Sequence, residues 1–145
     1  MGRRLILDTC VLVALQRGQV APTTVLTADD DVVIAAITAA ELHTGVLLAP
    51  DDRRARLELA VKNLLAPIPV EDYSAATAEQ HAVLLAHTRR SGRPRGAHDL
   101  IIAATALATG RTLVTTDAAA KFDELPGVAS VTLPIARRPG GGSPR

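Results

Sequence analysis

Four acidic side chains stand where this chain could do chemistry. Asp8 follows Leu5-Ile6-Leu7, a continuous apolar run of the kind that marks a fully buried strand. Glu41 lies early in a helix that follows a second apolar run, Val32-Val33-Ile34-Ala35. Asp99 opens the most apolar helical stretch, His98–Ala108, and Asp117 stands just beyond Val114 at the end of another short strand. A charge at the tip of a buried strand is costly unless it is paired or bound to metal. Carboxylates gathered in one place repel one another and raise one another's pKa. A hard divalent cation, Mg²⁺ or Mn²⁺, removes that conflict, because it prefers oxygen ligands and keeps several waters. No accompanying set of His or Cys points to zinc. A cation held this way lowers the pKa of a bound water and neutralises charge on an attacked phosphate, as hydrolysis of a phosphodiester requires.

Each acid also has a purely structural reading. Thr38-x-x-Glu41 fits a capping box, in which Glu41 only satisfies the helix start. Asp99 and Asp117 could be first-turn acids that complement a helix dipole. Asp8 directly follows a buried strand and is the hardest to explain by structure alone. The joint pattern is more specific than any one member.

The elements that must position these acids alternate along the chain. Strand Arg4–Leu7 leads into a helix from Thr9 to about Arg17, closed by Gly18. Pro22 opens a short helix to about Leu26, and Asp29-Asp30-Asp31 reads as a solvated turn. The second strand, Val32–Ala35, precedes a helix expected to begin at Thr38. Pro50, Asp51 and Asp52 stop that helix and cap the next, which runs to about Leu65. Its apolar stripe is Leu57, Ala60, Val61, Leu64 and Leu65, with Arg53, Arg54, Arg56 and Glu58 on the other side. Pro67-Ile68-Pro69-Val70 reads as a short strand whose prolines put it at a sheet edge. Asp72 is expected to cap a helix from Tyr73 to about Arg90, and Gly92–Gly96 forms a basic loop before the His98–Ala108 helix. Strand Leu113-Val114, a short helix to Phe122 and a last strand, Val128–Leu133, complete the pattern. From Pro134 the tail is rich in Pro, Gly, Ser and Arg and is expected to be disordered.

Alternating strands and helices imply an α/β fold, with a parallel sheet covered on both faces and right-handed crossovers. In such a sheet all strand ends share one edge, where ligands bind. Asp8, Glu41 and Asp117 reach that edge directly; Asp99 joins them if its helix runs back into strand Leu113-Val114.

With 145 residues the chain reads as one domain, 1–133 plus the tail. Tyr73 and Phe122 are its only aromatics, so aliphatics make the core. The formal charge of +1 excludes a molecule that attracts polyanions as a whole, and leaves local clusters to do so. Cys10 is alone, so an intrachain disulfide is impossible, which fits a reducing compartment. No run approaches the roughly 18–20 apolar residues of a membrane span, and no signal peptide is evident. A soluble, cytoplasmic protein is expected.

Leu7-Asp8-Thr9, Ala39-Ala40-Glu41-Leu42 with Gly45 behind it, Asp99-Leu100-Ile101-Ile102-Ala103-Ala104, and Leu113-Val114-Thr115-Thr116-Asp117 occur in that order. This resembles a PIN-domain ribonuclease, in particular the VapC toxins of bacterial VapBC toxin–antitoxin pairs, over about Leu5 to Leu133. The resemblance implies a three-layer α/β/α fold and Mg²⁺- or Mn²⁺-dependent endonucleolytic cleavage of RNA. It also implies a cognate VapB-type antitoxin and a homodimer. Asp8, Glu41, Asp99 and Asp117 match the acidic positions of the family, and Thr9 and Thr115 match hydroxyl positions near the metal. Two departures stand out: the residue before the third acid is often Asn and here is His98, and the fourth position is often Asn or displaced and here is Asp117.

On this reading Asp8 and Asp99 are direct metal ligands, Asp117 ligates the metal or holds one of its waters, and Glu41 binds a water and helps deprotonate the nucleophile. His98 adjoins Asp99, but a sequence neighbour on a helix points about 100° away. Cys10 has no evident basic partner that would make it a nucleophile. Arg89, Arg90, Arg93 and Arg95 form a run without an intervening acid, the best candidate for a grip on RNA phosphates; a solvated basic loop is the plainer reading. With almost no aromatics to stack on bases, RNA shape is a better basis of selection than sequence. A PIN-like domain that has lost activity and only binds RNA or protein is the alternative, which a metal titration separates. A phosphotransfer receiver and a haloacid-dehalogenase-type phosphatase fit poorly: the first wants an acidic pair and a late lysine, the second an Asp-x-Asp where this chain has Asp8-Thr9-Cys10.

Overall fold

The computed structural model describes residues 2–135. Strands β1 (Arg4–Leu7), β2 (Asp31–Ala35), β3 (Val70–Glu71), β4 (Thr112–Thr115) and β5 (Ser130–Thr132) form one sheet in the order β3-β2-β1-β4-β5. Every neighbouring pair is parallel. Among the described residues, six helices flank it: α1 (Thr9–Gln16), α2 (Pro22–Val25), α3 (Ala36–Leu48), α4 (Asp51–Leu65), α5 (Ala75–Ser91) and α6 (Ala97–Thr109). The architecture is the expected three-layer α/β/α one. The tail from residue 136 onward lies outside the described residues.

The unbroken apolar strands are explained by burial on both faces. Successive side chains of a strand point to opposite faces. Leu5 and Leu7 accordingly enter a core shared with Leu12, Leu42 and Val61 of α1, α3 and α4. Ile6, between them, enters the other core with Leu84, Ile102 and Leu113 under α5 and α6. Both cores are aliphatic apart from Phe122, and truncating one fully buried residue such as Leu12 to Ala costs about 2–5 kcal/mol. At the edge of the sheet where β2 and β4 begin, the buried Arg111 side chain donates to the carbonyl of Asp31 at 2.9 Å and pairs with the Asp31 carboxylate at 3.1 Å. A buried cation needs such partners, and this one ties β2 to the start of β4.

Several local expectations are corrected. The Thr38–Glu41 capping box does not form, because α3 starts at Ala36 directly from the end of β2 and its first amides have no side-chain cap. Thr38 is instead fully buried. Asp72 does not cap α5; Ser74 does, accepting from the Thr77 amide while the Thr77 hydroxyl accepts from the Ser74 amide. The segment after Asp117 forms two short 3₁₀ turns, Ala118–Ala120 and Phe122–Glu124, in place of a helix, joined at Lys121 with φ 48°. The edge strand β3 lies where the sequence put it but is shorter than read: it spans only Val70–Glu71, and Pro67 and Pro69 precede it in the turn after α4.

The Asp29-Asp30-Asp31 turn is not simply solvated. Asp30 accepts from the Arg3 amide, the Thr27 amide and two nitrogens of the Arg3 guanidinium, at 2.7–3.2 Å. Those bonds, the Arg3 side chain first, hold its carboxyl far below the ordinary 3.8. A depressed carboxyl contributes stability above its unfolded pKa and loses it as pH falls toward the folded value. Stability is therefore expected to decline as pH drops below about 3.8. The Asp30→Asn variant should melt lower than the parent at pH 7 and show a flatter acid limb in thermal melts from pH 7 to pH 2. Matching melting curves for the two proteins across that range contradict a role for Asp30.

Candidate metal-dependent nuclease site

The chain lays down β1, β2 and β3 in one direction and then returns to place β4 and β5 on the other side of β1. The strand order thus reverses between β1 and β4, and ligands of open parallel sheets bind at the carboxyl ends of strands at such a switch point. Asp8 stands there, one residue past β1, and its amide donates to Val114 of β4 at 2.9 Å. Asp117 stands two residues past β4. Glu41 is in the second turn of α3, which begins where β2 ends. Asp99 is in the first turn of α6, and α6 runs back into β4 through Gly110 and Arg111, so its start lies at the same pole. The condition for Asp99 to join the other acids is met.

Asp8 is 5% exposed, and among the described residues it pairs with no Arg, Lys or His. Neutral donors hold it. Its Oδ1 accepts from the Thr9 amide at 2.8 Å as the N-cap of α1. Its Oδ2 accepts from the Thr115 hydroxyl at 2.8 Å and from the Cys10 thiol at 3.2 Å. The Thr115 hydroxyl in turn accepts from the Asp117 amide at 3.0 Å, and Asp117 Oδ1 accepts from the Ala119 amide at 2.9 Å. Thr9 donates its hydroxyl to Glu41 Oε1 at 2.9 Å, and His98 Nδ1 lies 3.5 Å from Glu41 Oε2. The two hydroxyls singled out in the sequence are therefore bonded to Asp8 and to Glu41. His98, expected from helix geometry to point away from Asp99, reaches Glu41 and still acts on the Asp99 charge.

Electrostatics join the four acids. The half-buried Asp99 carboxyl is pushed above 3.8, first by burial and then by the negative charges of Asp8, Asp117 and Glu41, while His98 opposes the shift. Burial also raises the Cys10 thiol, so it stays protonated and donates to Asp8 instead of acting as a nucleophile. Among the described residues, no three His, Cys, Asp or Glu side chains already sit close enough to enclose an ion. The donor chemistry nevertheless fits a hard divalent cation: every acidic donor offers oxygen, one is buried without a counter-charge, and a second is strained by its neighbours. Asp8, Asp99 and Asp117 are the residues that could hold one.

The basic run separates into two parts. Arg89 and Arg90 are exposed in the last turn of α5, and Arg93 is exposed with its guanidinium 3.7 Å from Glu124. Arg95 is not available to phosphate, since its side chain is 13% exposed and bonds to the carbonyls of Ala120 and Lys121 and to Glu124. A cavity of about 750 Å³ opens beside Thr9 and Glu41, between α1, α3 and α4. Val13, Leu42 and Leu57 line it together with Arg17, Arg53 and Arg56. The amphipathic reading of α4 placed Arg53 and Arg56 opposite the apolar stripe, yet both border this opening. The contact of Cys10 Sγ with the Thr115 hydroxyl and that of Arg95 with the Ala120 carbonyl were not foreseen either: they span 105 and 25 residues of chain, and local spacing carries no such information.

The PIN-domain family model matches residues 5–128, and the chain belongs to that family. PIN domains are in general nucleases. No curated protein matches the chain. Among solved structures, VapBC2 from Rickettsia felis bound to a promoter DNA fragment is 22% identical over 90% of this chain and 98% of that one, with a TM-score of 0.81. DNA-bound VapBC from Salmonella typhimurium is 24% identical over 91% and 98%, with a TM-score of 0.80. VapBC-5 from Mycobacterium tuberculosis, a member of the VapBC family of toxin–antitoxin systems, is 29% identical over 90% and 98%, with a TM-score of 0.69. The resemblance read from the sequence is thus borne out in family and fold.

The raised Asp99 carboxyl has a consequence for stability. A raised carboxyl favours folding below its unfolded pKa of 3.8, and that contribution is lost as pH rises through the folded value. In EDTA at pH 7, Asp99→Asn should therefore be more stable to urea than the parent, with the difference shrinking toward pH 4. A parent as stable as Asp99→Asn at pH 7 and free of divalent ions contradicts the repulsion.

Proposed function

We propose that this chain is a divalent-metal-dependent endoribonuclease that serves as the toxin of a toxin–antitoxin pair. The observation that carries the reading is the arrival of Asp8, Glu41, Asp99 and Asp117 from four separate segments at one pole of the sheet, with the Asp99 carboxyl raised by burial and then by the charges of the other three. Asp8, Asp99 and Asp117 would hold Mg²⁺ or Mn²⁺. When bound, the cation supplies charge neutralisation at the phosphate and acidifies water. Thr115 and the Thr9 amide orient Asp8, and the Thr9 hydroxyl orients Glu41. Glu41 is then placed to accept the proton of a water that attacks phosphorus, while the bond to the leaving oxygen breaks. Arg89, Arg90 and Arg93 remain the residues proposed to contact RNA phosphates; Arg95 leaves that set.

The VapBC likeness supports a VapB-type antitoxin as the natural partner. The cavity bordered by α1, α3 and α4 offers apolar surface next to Glu41, where an antitoxin segment can lie and a basic side chain can reach the carboxylates. Without its antitoxin, the chain is proposed to act as a homodimer in the cytoplasm, cleaving RNA and so inhibiting translation and growth.

The test is cleavage of RNA by purified parent, Asp8→Asn and Asp99→Asn in Mg²⁺, with circular dichroism to show that the fold is intact. Each variant should lose about 100-fold or more of the activity, the scale on which removing a group that stabilises transition-state charge acts. Equal cleavage by the parent and both variants removes the catalytic assignment. RNA binding without cleavage by the parent in Mg²⁺ and Mn²⁺ favours the inactive binding module.

A further inference from the structure

Asp99 lies in the first turn of α6 and Asp117 just past β4, and one side chain joins the segments beside them. Arg95 lies in the loop before α6, and Ala120, Lys121 and Glu124 lie in the turns after Asp117. Arg95 Nη1 donates to the carbonyl oxygens of Ala120 and Lys121, to the latter at 2.9 Å, and Nη2 donates to Glu124 Oε2 at 3.3 Å. The side chain is 13% exposed, so water is a poor substitute for these acceptors.

Both ends of this strap bear on the acids. On one side, Gly96 follows Arg95 and packs against Asp99; a Cβ at Gly96 would lie 2.9 Å from Asp99 Oδ2. A shift of Arg95 therefore moves the backbone that abuts the Asp99 carboxylate. On the other side, Lys121 holds a left-handed φ of 48°, a conformation that a residue with a side chain rarely adopts unless its surroundings fix it. The bond from Arg95 to the Lys121 carbonyl supplies such a constraint, four residues after Asp117. The planar fork of arginine serves several acceptors at once, whereas a lysine ammonium is a single point donor on a flexible stem.

We propose that Arg95 is a positioning residue that fixes Asp99 and Asp117 relative to each other, through its bonds from the α6 loop to the turns after β4. The proposal rests on reading these acids as a cation site. Arg93 is the natural control: it approaches the same Glu124 at 3.7 Å but is 73% exposed.

The test is a Mn²⁺ titration followed by loss of the free-ion EPR signal, which reads binding without any cleavage. It uses the full chain as parent, Arg95→Ala, Arg95→Lys and Arg93→Ala. Arg95→Ala should weaken Mn²⁺ binding by about 10-fold or more, the effect of removing a residue that orients metal ligands. Arg95→Lys should fall between Arg95→Ala and the parent, and Arg93→Ala should stay within about twofold, as an exposed pair contributes little. Ethylguanidinium added to Arg95→Ala should restore part of the affinity, which a general loss of stability would not allow. If Arg95→Ala does not fold, Arg95→Lys carries the comparison. Equal affinity in parent and Arg95 variants overturns the strap and leaves the cation site standing. No Mn²⁺ binding by the parent overturns the cation site and the strap's role there together.

Discussion

A carboxylate at the end of a buried strand must be held by something, and at Asp8 every donor among the described residues is neutral. The Thr9 amide, the Thr115 hydroxyl and the Cys10 thiol satisfy it, and none supplies positive charge. Two of these donors come from its own helix start and one from β4, so the carboxylate also fastens β1 to β4 at the point where the strand order reverses. The negative charge is thus solvated but not cancelled, in a place where burial makes cancellation valuable. The rest of the pole shares this imbalance, since Asp99 is raised by burial and by Asp8, Asp117 and Glu41.

Such an arrangement works against stability in the isolated protein. Asp30 shows the contrast within the same chain: its carboxylate has a guanidinium and two amides and is held low, and it closes a turn. Arg111 shows it again with the opposite sign, a buried cation matched to Asp31. Where acids serve architecture, this chain pairs them. At the carboxyl pole of the sheet Asp8, Asp99 and Asp117 have no such partner among the described residues, and Glu41 has only His98, at 3.5 Å. The proposed cation and the proposed basic side chain of an antitoxin are two ways of supplying the missing charge at one place.

Much of this was legible in the sequence for a simple reason. Leu5-Ile6-Leu7 and Val32–Ala35 lack polar alternation because both sheet faces are covered, and that fixes a parallel α/β fold. Once the sheet is parallel, acids at strand ends and at the starts of helices that follow strands meet at one edge, which brought Asp8, Glu41 and Asp117 together; Asp99 joined them on the condition that its helix runs back into β4, as α6 does. The misreadings were local or long-range. Thr38 and Glu41 have the spacing of a capping box, yet α3 follows β2 with no linking turn, and Thr38 went into the core. Asp72 looked like a cap, but Ser74 was better set to reach the first free amides of α5. Arg95 belonged to a run of arginines in sequence and to a distant turn in space, and nothing in the spacing distinguishes those fates.

Crystals of the chain soaked in Mn²⁺ and measured at the manganese absorption edge test the shared pole most directly. The predicted result is an anomalous peak bounded by the carboxylates of Asp8, Asp99 and Asp117. Ordered carboxylates with no peak among them, at Mn²⁺ concentrations that support cleavage of RNA by the same preparation, would contradict it.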